Sequence, residues 1–118
     1  MGSPVDRPEL PLFTHWEGAL KDILSRTEKF PKKVRFTLSG RMDNLALDFL
    51  ERLVEARYTK DKTGVLEEAS LVLEKLRVLA RISHDCGHLD HKGYEYVARN
   101  VDEAGRMLGG WLRSRAGR

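Results

Sequence analysis

All four prolines, Pro4, Pro8, Pro11 and Pro31, lie in the first 31 residues, and the 87 that follow carry apolar side chains at three- and four-residue spacing. Nothing in that stretch alternates as a half-buried strand does. A chain of this pattern buries its apolar surface as helices, because 3.6 residues per turn bring positions three and four apart onto one face, whereas a strand needs a period of two. Proline lacks the backbone N–H and clashes with the preceding turn, so its confinement to the start leaves long helical stretches uninterrupted downstream. The expected fold class is all-α. At 118 residues the chain supports one core and not two.

Residues 1–13 read as a flexible, proline-rich lead, since each proline disfavours helix at the residue before it. A four-helix bundle domain is expected over residues 14–116. The first helix, about 14–30, opens on the capping box Thr14 and Glu17 and aligns Trp16, Leu20, Ile23, Leu24 and Thr27. A basic linker runs from Pro31 to Phe36. The second helix, about 37–58, turns Leu38, Met42, Leu45, Phe49, Leu53 and Ala56 inward, and the third, about 63–86, does so with Val65, Ala69, Val72, Leu76, Leu79 and Ser83. Gly87 suits the left-handed position after a helix end. Asp90 then serves as N-cap of a fourth helix, about 91–115, that buries Tyr94, Val97, Val101, Ala104, Leu108 and Trp111. Short connections make sequential helices antiparallel, which gives an up-down bundle.

Two helices carry more apolar surface than one bundle face needs. Leu47, Val54 and Tyr58 on the second, and Leu71, Val78 and Ile82 on the third, stand off the main stripes at the same i, i+7, i+11 spacing. Six such side chains left in water are unusual for a small monomer, so these are the candidate oligomer interface. Charge is also unevenly placed. The net excess is only +3, yet residues 31–62 hold eight basic and five acidic side chains and residues 91–118 hold six and three. Lys92, Arg99, Arg106 and Arg113 recur every seven residues, a ridge roughly 30 Å long at 1.5 Å per residue. Pairs Glu95–Arg99 and Asp102–Arg106 are placed to soften it. A second ridge comprises Arg77, Arg81, His84 and His88. With the linker cations Lys32, Lys33 and Arg35 and the turn cations Arg57, Lys60 and Lys62, these ridges are the candidate nucleic-acid and partner surface. The expected absence of exposed aromatics among the charges points to phosphate contact rather than base stacking.

His84, Asp85, Cys86, His88, Asp90 and His91 form a run rich in metal-ligand types, and a metal-dependent phosphohydrolase using His84, Asp85, His88 and His91 is the alternative from another class. Gly87 separates His84 from His88 and breaks their common helical face, so no metal is expected and the three histidines remain weak candidates. No phosphate loop, dinucleotide fingerprint or nucleophile with an ordered base is present, so neither a cofactor nor catalysis is expected. A single cysteine, Cys86, excludes an internal disulfide. No apolar run reaches the ~18 residues of a membrane span, and the opening residues lack a signal peptide's apolar stretch, so a cytoplasmic protein without a membrane partner is expected.

Three stretches, EKFPKKVRFTLSGRMDNLALDFLERLVEARY (28–58), LEKLRVLARI (73–82) and YEYVARNVDEAGRMLGGWL (94–112), carry a more specific signal. Their combination resembles the accessory variability determinant (Avd) family of diversity-generating retroelements, relatives of the four-helix proteins of ribosomal RNA intervening sequences. The resemblance covers roughly residues 14–115. It implies a homopentameric barrel of four-helix bundles whose basic surface binds the retroelement's reverse transcriptase and its RNA or DNA. It also implies a non-enzymatic role in mutagenic copying of a template repeat (mutagenic retrohoming). The run from His84 to His91 is richer in histidine than the family pattern. A purely structural helical oligomer is the remaining alternative.

Overall fold

The computed structural model describes residues 9–116, apart from the side chains of the last two. Helix α1 spans Glu9–Thr27, α2 Gly40–Tyr58, α3 Lys62–Asp85 and α4 His91–Ala116, with a 3-10 turn (Lys32–Val34) and a π turn (Arg35–Ser39) between α1 and α2. Among the described residues there is no strand. Each helix packs against its sequence neighbours, and α4 closes the bundle against α1. Contacts between the end of one helix and the start of its neighbour, Thr27 with Asp43 and Ser83 with Met42, make the arrangement antiparallel. The bundle is 47 Å long and 20 to 22 Å across.

The core is a continuous apolar column in which Trp16, Phe49, Leu12, Ile23, Met42, Leu53, Leu66, Leu76, Leu108, Val97 and Val101 are almost wholly inaccessible. Trp16 and Phe49 meet edge to face, ring centres 4.7 Å apart, an arrangement that adds about 0.5–1.5 kcal/mol to area burial. Two adjacent side chains of α1 then fix it to two different helices. The Trp16 indole N–H donates to the carbonyl of Ala46 on α2 at 2.9 Å. The His15 ring donates through Nε2 to the carbonyl of Asn100 on α4 at 3.0 Å, since a carbonyl only accepts.

Helix ends follow local chemistry. Gly87 has φ 82°; its N–H donates to His84 O, and the N–H of His88 donates to Ser83 O, the paired bonds of a Schellman stop. Asp90 Oδ1 accepts from the N–H of Gly93 at 2.6 Å, capping α4. Three expectations require correction. Helix α1 begins at Glu9 rather than near residue 14, so residues 9–13 are helical; Pro11 sits in the first turn, where its missing N–H has no intrahelical partner to lose. Thr14 is consequently mid-helix and caps nothing, and residues 1–8 lie outside the described part. Helix α1 also ends at Thr27, not at 30, and α2 proper starts at Gly40 because a π turn occupies Arg35–Ser39. The buried faces are wider than one stripe: Leu12, Ala46, Leu66, Leu73 and Ala80 are buried, whereas Leu45, Val65 and Leu79 are half-buried.

The π turn has a specific cause. The N–H of Gly40 reaches Arg35 O, five residues back, and a Cβ on Gly40 would stand 2.5 Å from that same carbonyl oxygen. Only glycine admits so close an approach. Ser39 Oγ and Thr37 Oγ1 both donate to Val34 O, at 3.0 and 3.3 Å, which pins the 3-10 turn to the π turn.

Candidate functional site

The α2–α3 face carries the apolar patch. Leu47, Val54 and Tyr58 on α2, and Leu71, Val78 and Ile82 on α3, are all exposed in the single chain. Between the helices runs a groove of about 600 Å³ with Leu45, Val78 and Leu79 in its lining and Arg41, Asp48, Glu74 and Lys75 around it. Two positive and two negative rim groups flank its apolar side chains. Arg52 links the helices at the same face, 3.1 Å from both Glu55 and Glu68.

The basic surface lies mainly on α4 and the adjoining edge of α3. Lys92, Arg99, Arg106 and Arg113 are exposed along α4 as their spacing predicts, and Arg81 is exposed on α3. Their ion pairs differ from the expected ones. Glu95 meets His91 at 3.0 Å rather than Arg99, Asp102 meets Arg77 across the α3–α4 boundary, and Arg106 pairs with Glu103, three residues back. The Arg106 hydrogen bond holds the Glu103 carboxyl below its usual range. Arg77 also lies 3.5 Å from Glu74, so two carboxylates engage it. Among the described residues no ion pair forms at Lys92, Arg81 or Arg99. Helix α3 ends at Asp85, so the second ridge stops at His84 and His88 is not part of it.

The histidines are taken up by ring contacts. His84 stacks on Tyr94 with centres 5.0 Å apart and lies 5.7 Å from the His91 ring, while His88 faces Phe30 at 5.8 Å. Among the described residues no three His, Cys, Asp or Glu side chains converge as a metal site would require. Cys86 is exposed as a free thiol.

Each connection flanking α2 brings cations and an aromatic together. At the α1–α2 connection Lys32, Lys33 and Arg35 are exposed, and Phe36 stands 88% exposed beside them. At the α2–α3 turn Arg57 lies over the Phe13 ring at 5.3 Å, Lys60 is exposed and Tyr58 is 83% exposed. Lys62 folds back to donate from Nζ to Ala56 O at 2.7 Å and Thr59 O at 2.9 Å, satisfying carbonyls at the end of α2. The expected absence of aromatics among the charges is therefore wrong. The signal was available: on a straight helix Phe36 falls about 120° from Met42, well off the inward stripe.

Beneath the first connection, a recess of about 220 Å³ is lined by Thr27, Phe30, Lys32, Arg35, Ser39 and Asp43, among others. Thr27 Oγ1 donates to Asp43 Oδ1. Burial pushes the Asp43 carboxyl up from its usual value, against the Thr27 hydrogen bond, which lowers it. On α4, Gly105 is exposed, and a Cβ there would touch only Leu73 at 3.9 Å.

No described helix is long and apolar enough to cross a membrane. No curated protein matches the chain. The family model described as bAvd-like matches residues 15–115, which takes in α1 from His15 onward, all of α2 and α3, nearly all of α4 and both connections of α2. An antiparallel helical bundle with an apolar α2–α3 face and a basic α4 edge, matched over nearly its whole length, is therefore a member of the bAvd-like family.

Proposed function

We propose that this protein is a non-enzymatic accessory subunit of a diversity-generating retroelement, which self-associates and joins a reverse transcriptase to RNA or DNA during mutagenic cDNA synthesis. The bAvd-like match over residues 15–115 carries the proposal, and the two surfaces supply its physics. The apolar α2–α3 face suits contact with further copies, a pentamer in the family's pattern. Burying each of its large side chains contributes roughly 1.5–3 kcal/mol to association. Arg81 and Arg99, exposed and free of ion pairs among the described residues, suit phosphates better than Arg77, which is already held between Glu74 and Asp102.

The test pairs the surfaces. Val78→Glu should lower the mass in light scattering while helical content persists, because it places a charge in the apolar face and leaves the core alone. Arg81→Ala combined with Arg99→Ala should keep the oligomer and support less cDNA synthesis by the reverse transcriptase. The slope of log affinity for RNA or DNA against log salt should flatten by roughly 1.4–1.8 for two lost phosphate contacts. A wild-type monomer at micromolar concentration would sink the assembly, and unchanged nucleic-acid binding by the double variant would remove those arginines from the interface.

A further inference from the structure

Of the large apolar side chains among the described residues, Phe36 is the most exposed, at 88%, and the fold gives it no partner. A ring left in water forgoes roughly 1.5–3 kcal/mol of burial, so its position calls for a use outside the chain. The backbone beneath it is held firmly. Gly40 lets the chain close onto Arg35 O, and the Ser39 and Thr37 hydroxyls tie the segment to Val34 O. Lys32, Lys33 and Arg35 lie within four residues of the ring, all exposed and without an ion pair among the described residues.

We propose that Phe36 is a stacking platform for an unpaired base of single-stranded nucleic acid, with Lys32, Lys33 and Arg35 neutralising the flanking phosphates. The inference rests on the proposed nucleic-acid role and names where bases, rather than backbone alone, are held. Stacking on an aromatic within a cationic strip is how sequence-tolerant single-strand binding is built, because every base offers a π-face. A duplex hides those faces in its stack. A second copy docked here about a two-fold axis would bring two sets of three cations together, whereas a head-to-tail contact of the kind a ring uses is read out by the oligomer mass of Phe36→Ala. The α2–α3 turn has the same residue types, but two of its three cations serve the fold, Arg57 covering Phe13 and Lys62 capping α2, which leaves Lys60 alone against three at the first connection.

The experiment uses the full chain and three labelled probes: a single-stranded oligonucleotide, an abasic oligomer of the same length, and the corresponding duplex. Phe36→Ala should weaken the single strand roughly 5- to 150-fold, the range set by about 1–3 kcal/mol per stacked base. Abasic and duplex binding should be unchanged, as should the salt slope of the single strand. Phe36→Trp should restore the affinity, and Lys32→Ala with Lys33→Ala should flatten the salt slope for all single-stranded probes. Wild-type affinity of Phe36→Ala for the single strand would overturn the platform alone and leave the proposed function standing. So would an equal loss on the abasic probe. A change in oligomer mass, or lost reverse-transcriptase binding with oligonucleotide binding intact, would assign Phe36 to a protein contact instead. If the wild type bound none of the probes, the nucleic-acid role would fall with the platform.

Discussion

The two connections of α2 are built from the same residue types and used in opposite ways. Before α2, Lys32, Lys33, Arg35 and Phe36 project from a 3-10 turn and a π turn, and the hydrogen bonds there come from hydroxyls and backbone. After α2, Lys62 spends its ammonium on the carbonyls of Ala56 and Thr59, and Arg57 lies on Phe13. Charge content alone does not distinguish them; the partner of each cation does. A lysine that satisfies helix-end carbonyls would lose those bonds on turning toward a phosphate, whereas one facing water has only its hydration to exchange.

The largest expected contrast concerns the glycine that follows each connection, Gly40 at the start of α2 and Gly64 in the first turn of α3. Gly40→Ala would place a methyl 2.5 Å from Arg35 O, a backbone atom, whereas a Cβ at Gly64 meets nothing within 4 Å. Urea unfolding should show the first destabilised by about 1–3 kcal/mol, the usual range for forced overpacking. The second should be stabilised by about 0.4–1 kcal/mol through the lost freedom of the unfolded chain. Equal effects at the two sites would remove the π turn as a constrained element. Next in size is Lys62→Met, which keeps the stem and removes the ammonium. It should cost about 1 kcal/mol, while Lys32→Met and Lys33→Met should stay within about 0.5 kcal/mol. A costly Lys33→Met with a silent Lys62→Met would reverse the comparison.

The smallest expected effect lies under the first connection. Burial raises the Asp43 carboxyl above its ordinary 3.8. Its contribution to stability is therefore full below that value and is lost as pH rises through the folded-state value. Asp43→Asn keeps an acceptor for Thr27 Oγ1 and does not titrate. Its thermal midpoint should gain on the wild type between pH 4 and pH 7, and the opposite trend would contradict the burial of Asp43.

Most helix bounds were legible in the sequence because their stop signals are chemical. Gly87 and Asp90 bracket the α3–α4 turn where a left-handed residue and an acceptor side chain were expected. The start of α1 is not legible, since a proline at position 11 signals a helix break by pattern although the first turn of a helix tolerates it. Ala46 and Ala80 were missed for another reason: each helix of a closed bundle touches two neighbours, and small side chains fill the space between two apolar stripes. The exposure of the six apolar residues on α2 and α3 was legible, because leftover apolar positions are those off the core stripe, whereas that of Phe36 and Tyr96 was not. Ion-pair partners were not. Asp102 pairs with Arg77 across the helix boundary while Arg106 on its own helix pairs with Glu103, and sequence spacing carries no record of that.

The π turn at Arg35–Ser39 gives the chain a spare residue. One residue lost there would restore an α turn and leave α2 seated as before, since the adjustment falls ahead of Met42, its first wholly buried side chain. Chain length between the first two helices can therefore drift without disturbing the core. What shifts is the direction in which Phe36 and its cations face, by about 100° for each residue gained or lost.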